Sequence, residues 1–323
     1  MFLLSLLGAT IPTIFLVWLI WWADRYEREP ARLLVSAFLW GAIPAILLAL
    51  MTELILALPI NETRFWGQVA SVAVIAPIVE ETVKGIALLG LLLFTRSELD
   101  GILDGIIYGA LIGAGFAMTE NFFYFLSEET LSSLRWLIFL RAGLFGWNHI
   151  FFTAIFGASV GAAAQIKSRW GQGVLLMLGL SAATALHMLH NASTVLSQLS
   201  GLFLVFSTLM LWSGLAVFLF IIILLLARER RIIRDYLNQM TPKNLSDLER
   251  ARLMTILPPL ERLTPNVFLS KPAKRRAERY QLVAELAFRW HRLQKSQDAS
   301  AQEIKQEMAV LQQKLQQINE KGA

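Results

Sequence analysis

Residues 67–94 read GQVASVAVIAPIVEETVKGIALLGLLLF. A bilayer-crossing helix takes roughly 20 mostly apolar residues at 1.5 Å each, and this stretch is long enough. Its middle nevertheless holds Glu80, Glu81 and Lys84. A charge at the centre of a membrane helix costs about 2.5–3.5 kcal/mol on insertion scales. Lys84 follows Glu80 by four residues and Glu81 by three, so an intrahelical ion pair is available. The two carboxylates project about 100° apart, so one lysine does not fully serve both. At least one of them is expected to find a partner on another helix. The segment therefore predicts a bundle, because it is stable in lipid only with polar neighbours.

Further apolar stretches flank it at 2–23, 33–59, 101–126, 138–165, 172–198 and 201–227. Together they predict an all-α, polytopic transmembrane helix bundle of about seven spans. Composition agrees: 56% of residues are hydrophobic, 16% are charged, and the mean hydropathy is +0.55. Soluble proteins carry about 25% charged residues. The first 22 residues have no basic leader and no A-x-A-like cleavage site, so they read as a retained span.

Charge divides the chain in two. Residues 1–227 hold 10 Lys+Arg and 13 Asp+Glu, a net of −3, whereas 228–323 hold 19 and 11, a net of +8. This predicts a transmembrane domain, 1–227, and a soluble, helical, basic tail, 228–323. In the tail Ile304, Met308, Leu311, Leu315 and Ile318 recur at alternating steps of four and three. That is a short coiled-coil seam near 301–319, suited to a protein contact or a homo-oligomer. The run KPAKRRAER at 271–279 reads as a solvated face first and a lipid-headgroup contact second; no nucleic acid partner is expected. The absence of cysteine excludes disulfides, a thiol nucleophile and Cys-ligated metals.

Basic residues in short loops mark the cytoplasmic side. Arg25, Arg28, Arg32, Arg96, Lys167 and Arg169 fall on the same side as the basic tail, and Arg64 and Arg135 on the other. The N-terminus is therefore expected outside and the tail inside. Glycines at 101, 105, 109 and 113, and at 157 and 161, lie one turn apart and let helix backbones approach closely.

Other spans also carry polar groups. The fourth reads GFAMTENFFYF with Glu120 and Asn121; the fifth reads GLFGWNHIFFTAIFG with Asn148 and His149; the sixth reads ALHMLHNAS with His187, His190 and Asn191. In the expected orientation Glu80 lies about 15–20 Å below the outer surface, Glu120 about 9 Å, His149 about 10–16 Å and His187 about 16 Å. Four helices thus place acid or imidazole groups in one layer, which is expected to form one site. Glu53 and Asp104 do not share the pattern, and His190 reads as a satisfied neighbour.

Two imidazoles and a carboxylate (His149, His187, Glu120) match a hydrolytic zinc shell with an open water position, and Glu80 or Glu81 suits the general base on that water. Without metal, a glutamate base with His and Asn donors to an oxyanion could perform the same hydrolysis. Spacing does not choose between them. Intramembrane carboxylates and histidines also serve proton-coupled transporters, and the tail could make the protein a scaffold.

At these residues the sequence resembles the PrsW family of bacterial intramembrane proteases, itself distantly similar to the CAAX-protease and bacteriocin-processing superfamily. The resemblance covers about 65–200. It rests on Glu80-Glu81-Thr82-Val83-Lys84; on Phe116 through Glu120 and Asn121, preceded by Asp104-Gly105 and Tyr108-Gly109; on His149 with Thr153 and Gly157; and on His187 with Asn191. It implies a multi-pass protease of the bacterial cell membrane. Such an enzyme cuts single-span or membrane-anchored proteins, typically a regulatory anti-sigma factor, on the extracytoplasmic side. It further implies catalytic roles for Glu80, Glu81, His149, His187 and Asn191, with zinc or no metal.

Overall fold

A computed structural model describes residues 1–24, 26, 28–96, 98–99, 101–239, 270–295 and 298–320. Arg25 of the expected cytoplasmic loops lies outside the described residues. The regular structure of the described residues is all helix, with no strand among them. Six helices are long and apolar enough to cross a membrane: Phe2–Ala23 (α1), Ala31–Ala57 (α2), Ile102–Leu126 (α4), the interrupted Leu131–Ala164, Arg169–Leu196 (α7) and Leu202–Gln239 (α8). The stretch 65–94 (α3) is helical from end to end, and Glu80, Glu81 and Lys84 alone set it apart from those six.

The chain divides into two compact units, Met1–Trp21 with Glu29–Leu219 and Trp22–Arg28 with Phe220–Ala323. In the first unit α4 is the central helix, apolar on every side and buried along most of its length. Its glycines decide what lies against it. A Cβ at Gly105 would sit 2.0 Å from the Gly157 carbonyl oxygen, and one at Gly113 would sit 2.2 Å from that of His149. The expected close approach of these two spans is therefore present, and it seats the His149 backbone directly on α4.

Three segments have the wider π-helical turn. These are Gly41–Ala45 within α2, Val69–Ile75 within α3, and Phe139–Leu144. Such turns are frequent at functional sites, because the extra residue redirects the side chains that follow. In α3 the π turns end where Pro77 enters the first α turn, so Glu80 and Glu81 follow directly. The fifth expected span, 138–165, is not one helix. Leu131–Ile138 (α5) runs into the π turns, the chain breaks at 145–147, and Asn148–Ala164 (α6) begins afresh. Gly143 precedes the break and Gly146 lies within it, and His149 falls in the first turn of α6.

The second unit contains Lys271–Lys295 (α9) and Asp298–Glu320 (α10). Met308, Leu311 and Leu315 of the expected coiled-coil seam are buried, and α10 packs on α9. Arg289 and Glu307 join the two helices by a 2.7 Å ion pair. The segment 240–269 lies outside the described residues.

Candidate active site

Glu80, Glu81 and Lys84 point into the bundle from α3, and all three are buried. The Lys84 ammonium bonds Glu80 Oε2 at 3.0 Å, Glu81 Oε1 at 2.9 Å and His149 Nδ1 at 3.0 Å. One lysine therefore reaches one oxygen of each carboxylate and, as expected, does not fully serve both. Each lies within a turn of Lys84, and the flexible stem lets the head settle between them. The ammonium also stands 3.8 Å above the Phe116 ring. An ammonium only donates, so His149 Nδ1 accepts and the ring proton sits on Nε2. That nitrogen faces Glu120 Oε2 at 2.8 Å.

Glu81 is bonded on both oxygens. Oε1 takes Lys84 and His187 Nδ1 at 3.1 Å, and Oε2 takes the Thr153 hydroxyl at 3.0 Å. This is the expected partner on another helix. It fixes the His187 proton on Nδ1 and leaves Nε2 as a lone pair. His187 is further held flat against Phe152, with centroids 4.9 Å apart. Glu80 differs. Its Oε2 faces Lys84, with His149 Nδ1 at 3.6 Å, while Oε1 makes no hydrogen bond among the described residues.

Glu120 approaches His149 from the far side of the ring. It also accepts from Arg141 Nη2 at 2.7 Å. Arg141 donates from Nε to Asn121 Oδ1 at 2.8 Å and lies 3.8 Å over the Tyr124 ring. Arg141 was not singled out from the sequence. The available signal was a lone basic residue in the fifth apolar stretch, one short loop away from Glu120. The expected layer thus joins into one chain of contacts: Arg141, Glu120, His149, Lys84, Glu80, Glu81, His187.

Asn191 stands outside that chain. Its Nδ2 donates to the Val72 carbonyl at 2.9 Å, so it pins the π turns of α3 to α7. His190 accepts from Asn148 Nδ2 at 2.8 Å on Nε2, and its Nδ1 therefore donates to Ser207 Oγ at 2.7 Å. The imidazole does not take the serine proton, so the pair is no nucleophile–base dyad. Asp104 caps α4 by accepting from Gly101 N, a structural role as expected.

Metal fit can be judged from the donors. Glu80, Glu81, His149 and His187 each offer one ligand atom, and these atoms lie within 4.8 Å of one another. Two carboxylates and two imidazoles at that spacing suit a divalent ion such as zinc. Glu120 is not in this grouping, although the sequence placed it with His149 and His187. The donors fit in type and spacing, and the Lys84 ammonium competes with any ion for the same anionic centre.

A bundle of membrane-crossing helices around a buried carboxylate–imidazole–ammonium centre defines a polytopic membrane protein with an ionisable site among its spans. The chain belongs to the PrsW family of intramembrane metalloproteases, which matches residues 29–227. It is similar to Protease PrsW of Clostridioides difficile (strain 630), at 34% identity over 39% of this chain and 52% of that protein. Against Protease PrsW of Geobacillus kaustophilus (strain HTA426) the identity is 28% over 51% of this chain and 70% of that one. Against Protease PrsW of Bacillus subtilis (strain 168) it is 24% over 63% and 89%. The chain thus spans about half the length of the first of these relatives. No solved structure matches the chain significantly.

Proposed function

We propose that this protein hydrolyses peptide bonds of single-span or membrane-anchored proteins, with Glu80 as the general base on the attacking water. One observation carries the choice of Glu80: its Oε1 is free while both oxygens of the adjacent Glu81 are bonded. A base must reach a water, and a fully bonded carboxylate cannot. Glu81 holds His187 and Thr153 in place. His187 presents Nε2 as the remaining lone pair of the centre. His149, oriented by Glu120, keeps Lys84 beside Glu80. Lys84 pairs with Glu80 and adds a fixed positive charge to the centre. Asn191 keeps the Glu-bearing turn of α3 against α7, so it positions the base instead of polarising the carbonyl. Zinc, when bound, would be held by Glu80, Glu81, His149 and His187 and would supply Lewis-acid activation of water.

Loop charges support placement in a bacterial cell membrane with the N-terminus outside, the C-terminal helices cytoplasmic and the site in the outer half of the bilayer. A regulatory, anti-sigma-factor-like substrate is the corresponding class. The test uses purified full-length protein in liposomes with a single-span substrate. Glu80→Gln is expected to slow cleavage by about 10²–10⁴-fold, the range for a lost general base. Undiminished cleavage by Glu80→Gln, Glu81→Gln, His149→Ala and His187→Ala together would sink the mechanism.

A further inference from the structure

Glu53 sits on α2, away from every motif in the sequence. Its Oε1 is buried and accepts no hydrogen bond, and no other side-chain polar atom of the first unit shares that state among the described residues. A buried unpartnered polar atom in a packed helix calls for a physical reason. Packing brings it to the site. Ala45, Ile46 and Ala49 of α2 form one core with Val79, Val83 and Phe116. Glu53 follows Ala49 by one turn on the same face, Glu80 follows Val79 directly, and Glu120 follows Phe116 by one turn. Glu53 is within electrostatic reach of Glu80, Glu120 and Lys84.

Charge counting then sets its form. Glu80, Glu81 and Glu120 share two cations, Lys84 and Arg141, and neither cation bonds Glu53. Glu53 is half-buried, and ionised it would add a fourth negative charge without a counter-ion among the described residues, a state that carboxyls shielded from water avoid by keeping the proton. The carboxyl is thus a proton carrier near a base, with one buried and unbonded oxygen.

We propose that Glu53 is the general acid of the hydrolysis, a catalytic residue that protonates the leaving amine. The assignment rests on the protease reading above. Glu80 takes a proton from water as the water oxygen bonds the peptide carbon. The C–N bond then breaks as nitrogen takes the Glu53 proton. Transfer of the Glu80 proton to the Glu53 carboxylate restores both groups, and the sum is peptide plus water giving acid plus amine. Two carboxyls in unlike surroundings, one paired with lysine and one unpaired, are the arrangement that separates base from acid.

Two measurements on the full-length protein test this. The infrared spectrum of the protein in bilayers should show a protonated-carboxyl C=O stretch that Glu53→Gln removes. In cleavage assays Glu53→Gln should lose about 10²-fold or more on a peptide bond, the scale of a lost general acid. The same variant should cleave an aryl ester at the same position at close to the wild-type rate, because a phenolate leaves without a proton. Glu53→Asp should recover part of the peptide rate. Glu80→Gln should lose both substrates. Equal loss on peptide and ester would reduce Glu53 to a structural role, and an unchanged peptide rate or an absent infrared band would overturn the assignment. A wild-type protein that cleaves neither substrate overturns the protease reading itself, a result separate from any of these.

Discussion

Lys84 has no exposed surface and donates to three acceptors at 2.9–3.0 Å, so all three of its ammonium hydrogens are used. Removing one partner of a buried charge cluster costs about 3–5 kcal/mol, because the charges left behind lose their compensation. Lys84→Met should therefore lower the Tm substantially, read by thermal unfolding in detergent. The same change clears the cation from a centre of two carboxylates and two imidazoles. Added zinc should then stabilise Lys84→Met by about 2.7 kcal/mol at a hundred times its Kd, and raise its Tm more than that of the wild type. Equal zinc response in both proteins would show that the ammonium does not compete for the donors. The residues of this centre were legible in the sequence because charges in lipid are expensive and few. Their pairings were legible only in part: helical angles indicated that one lysine would leave a glutamate in need of a partner on another helix, but not that Thr153 and His187 would supply it to Glu81.

The glycines of α4 connect packing to chemistry at the next scale. A methyl at Gly113 would meet the His149 carbonyl oxygen at 2.2 Å and the Ile150 nitrogen at 2.8 Å, both backbone atoms that no rotamer change can move. Gly113→Ala should destabilise by about 1–3 kcal/mol, the range for overpacking, and should displace His149 from Lys84 and Glu120. Gly90→Ala serves as the contrast. It lies on α3 with nothing within 4 Å of a Cβ and should stabilise by about 0.5–1 kcal/mol through helix propensity. Comparing cleavage and Tm of the two variants checks both. The small-residue spacing was readable in advance, as was the element type of all seven apolar stretches. The π turns and the break at 145–147 were not, since they depend on which carbonyls find donors once neighbouring helices are in place. The break has consequences, for it puts His149 at the start of α6 and Arg141 in the π turns before it.

The absence of cysteine makes the whole-molecule topology directly testable. Glu62 lies in the loop after α2 and Lys167 in the loop before α7, and both are exposed. In intact cells a membrane-impermeant maleimide should label Glu62→Cys and should reach Lys167→Cys only after the membrane is opened. The reverse pattern would invert the orientation and place the site nearer the cytoplasm. The charge step at 228 falls within α8, which continues unbroken to Gln239, because a helix is terminated by backbone geometry and not by a change of solvent.

Sequence alone determined the class of fold, since apolar length and buried charge leave a helical bundle as the only economical answer in lipid. It also named Glu80, Glu81, Glu120, His149 and His187, because a span with an ionisable group needs a reason for it. Tertiary structure decided the rest. It joined those groups into a single chain through Lys84 and Arg141, withdrew Asn191 to a backbone carbonyl, left Glu80 with a free oxygen, and packed the helix that carries Glu53 against Val79, Val83 and Phe116. Depth and order of residues are linear quantities that a sequence carries. The direction in which a side chain faces, and the atom it meets there, depend on how neighbouring helices rotate and cross, and that is settled only when their small residues lock together.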